Sequence, residues 1–118
     1  MGQLRTEKVQ EFIKQELSKI ILTELKDPRI GFVTVTRVDV TGDLRSAKAY
    51  VSLMGSAEEK TATWQALQKA VGHLRSEIGK RIKLRFSPEL SLHIDESLEY
   101  GAHINELLAK LKREEADR

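Results

Sequence analysis

Trp64-Gln65-Ala66-Leu67-Gln68-Lys69-Ala70-Val71-Gly72-His73-Leu74-Arg75-Ser76-Glu77-Ile78-Gly79-Lys80-Arg81-Ile82 carries the strongest periodicity in the chain. Its apolar residues Trp64, Leu67, Val71, Leu74, Ile78 and Ile82 recur every three or four positions, which places them on one face of a helix. Trp64 belongs to that stripe and reads as core. Gly72 is the one residue in the run able to bend it, since a glycine inside a helix costs about 1 kcal/mol against alanine. The stretch is therefore either one long helix or two helices joined at Ala70-Val71-Gly72.

Upstream, Gly55-Ser56 closes a strand over residues 46–54. Ala47, Ala49, Val51 and Leu53 alternate there with Lys48, Tyr50 and Ser52. A partner strand covers residues 31–40. Val33 and Val35 alternate with Thr34 and Thr36, but Val38 and Val40 have the opposite parity, so a bulge is expected near Thr36-Arg37. The turn Thr41-Gly42-Asp43 joins the two strands into a hairpin. Residues 6–26 form a first helix with the stripe Val9, Phe12, Ile13, Leu17, Ile20, Ile21 and Leu25. Thr6 is its expected cap, and Asp27-Pro28 its stop.

Downstream, residues 83–95 read as a third strand, with Pro88 at a bulge or edge. Asp95 or Ser97 then caps a last helix carrying Leu98, Ile104, Leu107, Leu108 and Leu111. The order is helix, strand, strand, helix, helix, strand, helix. It gives an α+β domain, one small sheet with helices on one face and a wet outer face. Residues 1–112 make the domain and residues 113–118 a charged tail.

The chain has 118 residues, no cysteine and a formal net charge of +2, so disulfides and thiolate metal sites are excluded. A single domain of this size can bury a real core. Ile20-Ile21-Leu22 falls far short of the roughly 20 apolar residues of a membrane span. Met1-Gly2 with Thr6 fits a short myristoylation pattern, but nothing else points to a membrane. No membrane association and a cytoplasmic location are expected.

Catalytic signals are poor. His73, His93 and His103 are at least ten positions apart on different elements, so no metal site is expected. Ile78-Gly79-Lys80-Arg81 resembles the end of a phosphate loop, yet Leu74 and Arg81 stand where such a loop needs Gly and Ser or Thr. Asp95-Glu96 and Glu114-Glu115 read as caps and solvated charge. No catalytic residue, no cofactor and no enzymatic activity are expected.

The charge is unevenly placed. Lys69, Arg75, Lys80, Arg81, Lys83 and Arg85 face one acid, Glu77, within residues 69–85, whereas the chain beyond Phe86 is acidic. A basic surface of this kind attracts nucleic-acid phosphate, with an affinity that falls as salt rises. A solvated helix face is the alternative. Aromatic platforms for bases are sparse, with Tyr50, Phe32 and Phe86 as candidates.

The element order up to the third strand is that of a type II K homology domain, which grips nucleic-acid backbone with a GXXG loop between its middle helices. Ala70-Val71-Gly72 stands where that loop would be. The A-x-G replacement resembles the bacterial ribosome-binding factor A family. So do Glu24-Leu25-Lys26-Asp27-Pro28-Arg29 with Gly31 and Val33-Thr34-Val35-Thr36, and Asp43-Leu44 with Ala47-Lys48 and Tyr50-Val51-Ser52. Leu74-Arg75 with Gly79-Lys80-Arg81, and Leu84-Arg85 with Pro88-Glu89-Leu90, continue the match. Asp95 with Ser97-Leu98-Glu99, Gly101, Ile104 and Leu107-Leu108 completes it.

The resemblance implies a KH-like domain with a helix kink at Ala70, Val71 and Gly72. It also implies a non-enzymatic assembly factor, important in the cold, that binds the free small (30S) ribosomal subunit and assists late maturation and 16S rRNA processing. Its partners would be that subunit, its 16S rRNA and small-subunit ribosomal proteins, and a monomer is expected. Arg75, Lys80, Arg81, Lys83 and Arg85 are the expected rRNA contacts, with Lys26, Arg29, Arg45 and Lys48 secondary. The alternative is a protein-binding adaptor that docks a partner on a sheet edge or on the last helix.

Overall fold

The computed structural model describes residues 2–95. Helix α1 spans Gly2–Thr23, strand β1 Phe32–Val40, strand β2 Ser46–Met54, helix α2 Ala57–Arg81 and strand β3 Glu89–Ile94. The strands form one sheet in the order β1-β2-β3, with β1 antiparallel and β3 parallel to the central β2. A parallel neighbour needs a crossover, and α2 supplies it. The expected last helix carrying Leu98, Ile104, Leu107, Leu108 and Leu111, the boundary at residue 112 and the tail lie outside the described residues.

The core lies between the helices and one face of the sheet. Helix α1 contributes Val9, Ile13, Leu17, Ile20 and Ile21, and α2 contributes Leu67, Leu74 and Ile78. Val35, Val38, Val40, Ala47, Ala49, Val51, Leu53, Leu90 and Leu92 form the sheet side. Trp64 packs partly buried against them. The switch of parity in β1 comes from a bulge at Thr36: Val35 pairs with Val51 and Arg37 with Tyr50. The outer face carries Asp39, Lys48 and Ser91, with the paired Phe32 and Met54 exposed at one end.

Three boundaries differ from expectation by three residues or more. Helix α1 begins at Gly2, not Thr6, because Gln3, Leu4 and Arg5 are good helix formers and extend it N-terminally. It ends at Thr23, not Lys26, where the N–H groups of Glu24 and Leu25 both donate to the Ile20 carbonyl, at 2.9 and 3.2 Å. Strand β3 begins at Glu89, not Lys83. Residues 82–88 form a loop whose Ile82 and Leu84 pack on the core. The alternation Leu84-Phe86 imitates a strand, but Pro88 has no N–H to give a ladder.

The central stretch is one helix. Helix α2 runs unbroken through Ala70, Val71 and Gly72, so the stretch is one continuous helix and not two separate ones. Among the described residues, a Cβ on Gly72 would meet nothing within 4 Å, so no neighbour exploits the missing side chain. Burial of Leu67 before Gly72, and of Leu74 and Ile78 after it, holds both halves on the sheet. At about 1.5–3 kcal/mol per buried side chain this outweighs the glycine penalty. A capping box starts the helix: the Glu59 N–H donates to Ser56 Oγ at 3.1 Å and the Ser56 N–H to Glu59 Oε1 at 3.2 Å. Gly55 before it has φ +127, a conformation that favours glycine.

Thr63, buried in α2, ties the α1–β1 connection to the helix. Its hydroxyl donates to the Arg29 carbonyl at 3.0 Å and accepts from the Gly31 N–H at 3.1 Å. Among the described residues no helix is long and apolar enough to cross a membrane.

Candidate nucleic-acid interface

The C-terminal half of α2 sends its polar residues in two directions, because positions four apart share a face. His73, Glu77 and Arg81 form one row, directed at α1. Arg81 donates to Glu16 at 3.0 Å and to Glu24, and its Nε lies 3.9 Å from Glu77. These bonds, first from Glu24 and then from Glu16, raise the guanidinium pKa above its ordinary value. Arg81 is thus a clamp between the helices, with its side chain 28% exposed.

Arg75 and Gly79 form the other row, directed at the loop of residues 82–88. A Cβ on Gly79 would lie 2.7 Å from Ser87 Oγ and 3.2 Å from Ser87 Cβ. Glycine here lets the loop lie directly on the helix. Ile82 and Leu84 point into the core, so Lys83 and Arg85, one position out of phase, are exposed.

The start of β3 gathers these parts with the hairpin turn. The Glu89 N–H donates to the Arg45 carbonyl at 2.8 Å, and the Glu89 carboxylate lies 3.9 Å from Arg75. The turn is itself fixed. The Leu44 N–H donates to the Thr41 carbonyl at 2.8 Å, and Asp43 accepts from the Thr41 hydroxyl at 2.7 Å and the Arg45 N–H at 3.1 Å. These bonds, the hydroxyl's above all, hold the Asp43 carboxyl below its ordinary pKa. Leu44 sits at φ 60 and packs partly buried on the core; that packing offsets the roughly 1–2 kcal/mol of a left-handed non-glycine residue.

The result is a basic group at one end of the sheet, Arg45, Arg75 and Arg85, with Lys83 exposed on the loop that leads to it. Among the described residues, no carboxylate lies within 4.0 Å of Arg45, Lys83 or Arg85. Cations left without a carboxylate among the described residues are available to neutralise phosphate. Lys80 is exposed in the last turn of α2, 3.9 Å from Glu77.

The other expected contacts lie elsewhere. Arg29 forks onto Asp27, with Nε and Nη2 at 3.1 and 2.7 Å from its oxygens, and its N–H donates to Asp27 Oδ1 at 2.9 Å. The Arg29 side chain and N–H lower the Asp27 pKa to about 2. Lys26 precedes this turn, which Thr63 ties to the N-terminal half of α2. Lys48 is on the outer sheet face, between Asp39 and Ser91.

Glu24, His73 and Glu77 bring three ligand-type atoms within 4.8 Å of one another, a grouping not expected from sequence. Arg81 stands among the same carboxylates. Its fixed charge neutralises them and opposes a cation, so the chemistry is that of an ion-pair network.

Sequence reasoning placed Arg45 in a second tier, whereas the fold sets it beside Arg85. It also missed the packing role of Gly79 and the buried latch at Thr63. The readable signals were Ser56-x-x-Glu59 for the start of α2 and a polar Thr63 on the buried face of that helix.

A family model described as ribosome-binding factor A matches residues 5–108. The ribosome-binding factor A of Caldanaerobacter subterraneus subsp. tengcongensis is 50% identical over 116 residues, covering 98% of this chain and 95% of that protein. The crystal structure of ribosome-binding factor A from Thermus thermophilus superposes with a TM-score of 0.65 at 25% identity, over 75% of this chain and 94% of that one. A homology model of the Thermus thermophilus factor, fitted into the cryo-electron-microscopy map of its 30S complex, gives 0.60 at 25% identity over 74% and 91%. Matched along nearly its whole length, the chain belongs to the ribosome-binding factor A family.

Proposed function

We propose that this chain is a non-enzymatic assembly factor that binds the free small ribosomal subunit and assists late maturation and processing of its 16S rRNA. It acts in the cytoplasm, matters most in the cold, touches small-subunit ribosomal proteins beside the rRNA and leaves before translation. The observation that carries this reading is the set of cations at the start of β3 that lack an acidic partner among the described residues, Arg45, Lys83 and Arg85, with Arg75 beside them. They stand on a chain whose Thermus thermophilus relative is fitted into a map of a 30S complex.

The mechanism is binding and positioning. The sheet and α2 form a rigid base, the hairpin turn and the loop of residues 82–88 are bonded to it, and their cations meet rRNA phosphates. Arginine can take a phosphate by two parallel bonds. Four such contacts give a logarithmic salt slope of about −3, so affinity falls roughly 50- to 100-fold between 50 and 200 mM salt.

Co-sedimentation with free small subunits, large subunits and joined ribosomes across a salt series tests this. Pelleting with free small subunits alone, weakening with salt, is expected. Failure to pellet with any of them at low salt contradicts the reading. Binding insensitive to both salt and nuclease would favour the adaptor alternative.

A further inference from the structure

We infer that Phe86 is a stacking platform for one unpaired RNA base, with Arg45 and Arg85 holding the phosphates beside that nucleotide. The inference rests on the small-subunit reading above and names what the site recognises.

Phe86 is 56% exposed on a loop otherwise rich in charge. Two guanidinium carbons lie near its ring, Arg45 Cζ at 5.3 Å and Arg85 Cζ at 5.7 Å from the centroid. These are long cation–ring distances, close to the outer limit of about 6 Å. Neither arginine has a carboxylate partner among the described residues. The nearby acid of the turn, Asp43, accepts bonds from Thr41 and the Arg45 N–H.

The other arginine–aromatic group is closed by comparison. Arg37 sits 4.2 Å from the Tyr50 centroid and 3.3 Å from Asp39, and His93 lies against the same ring at 5.4 Å. Its cation is paired with an acid, and its ring already has a close guanidinium and an imidazole neighbour. Phe32, more exposed than Phe86, has no guanidinium over it among the described residues.

The Phe86 group is also held before any ligand arrives. The Glu89 N–H to Arg45 carbonyl bond fixes the turn to the strand. Leu84 anchors one side of the loop in the core, and Ser87 seats on Gly79 on the other. Little ordering is left to the moment of binding.

An exposed apolar ring with two cations at long range from it matches one nucleotide, a base with a charged phosphate before and after it. Bases within an A-form duplex present no free face, so the target is unpaired RNA. Stacking on an aromatic side chain is tolerant of sequence, which suits a factor that reads the shape of the subunit.

The test measures binding to free small subunits by the wild type, Phe86→Leu and Phe86→Trp at several salt concentrations, with melting curves to confirm folding. Leucine keeps the apolar bulk and removes the π-face, while tryptophan keeps the face. Phe86→Leu is expected to bind about tenfold more weakly with an unchanged salt slope, and Phe86→Trp within about twofold of wild type. Equal binding by Phe86→Leu and wild type, a changed slope, or equal loss in Phe86→Trp would overturn the stacking role and leave the small-subunit reading standing. A wild type that fails to bind free small subunits overturns that reading, and the stacking role with it.

Discussion

Replacing Arg81 by alanine separates a structural arginine from an RNA contact. Its guanidinium donates to Glu16 and Glu24 on the α1 side and lies beside Glu77 on its own helix. A hydrogen bond to a charged group contributes about 1.5–3 kcal/mol when well buried, and exposed ion pairs about 0.2–1. The Arg81 side chain is 28% exposed, so solvent screens these pairs and the fall in melting temperature of Arg81→Ala should be on the order of 5 °C. The deficit should shrink at 1 M salt, where screening weakens both the lost attraction and the repulsion among the acids left behind. Lys80→Ala, which breaks only an exposed 3.9 Å pair, should stay within about 2 °C. Well below its melting temperature, Arg81→Ala should bind small subunits as the wild type does. An Arg81→Ala protein that melts like the wild type but binds tenfold more weakly would refute the assignment.

Other expectations follow from the same contacts. The folded-state pKa of Asp27 is depressed to about 2, so its contribution to stability is full above the ordinary 3.8 and is lost as the pH falls toward 2. The stability gap between wild type and Asp27→Asn, measured by urea unfolding, should be constant above about pH 5 and close between about 4 and 2; a gap that widens in acid contradicts the assignment. Thr63→Val keeps the shape and strands the Gly31 N–H and the Arg29 carbonyl, for a loss of about 1–3 kcal/mol in denaturant titration. Gly79→Ala gains up to about 1 kcal/mol of helix propensity yet drives a methyl into Ser87. It should weaken subunit binding by lifting the loop, and Ser87→Gly added to it should restore both binding and stability.

Much of the fold was legible because its signals are local. The alternation of residues 46–54 marked β2 to the residue, and the parity change marked the bulge at Thr36. Where long-range packing decides, local signals misled. Gly72 looked like a break because its cost is local, whereas the burial of Leu67, Leu74 and Ile78 that keeps α2 continuous across it comes from the sheet. Leu84 and Phe86 looked like strand by their spacing, but in the loop only Leu84 packs on the core and Phe86 is exposed. The basic run was visible in sequence, but its division was not. Arg81 turns inward to acids 65 and 57 positions away, and Arg45 joins the group from the hairpin turn. The spacing of Arg75 and Gly79, against that of His73, Glu77 and Arg81, held the division in principle. Only the location of α1 says which row faces it.

The central claim is that Arg45, Lys83 and Arg85 carry the phosphate contacts at the start of β3. The most direct test is the salt slope of free small-subunit binding for the wild type against a variant with all three changed to glutamine. Three lost contacts should flatten the logarithmic slope by about 2 to 3 and leave the melting temperature nearly unchanged. A slope equal to that of the wild type would contradict the claim and place the phosphate contacts on another surface.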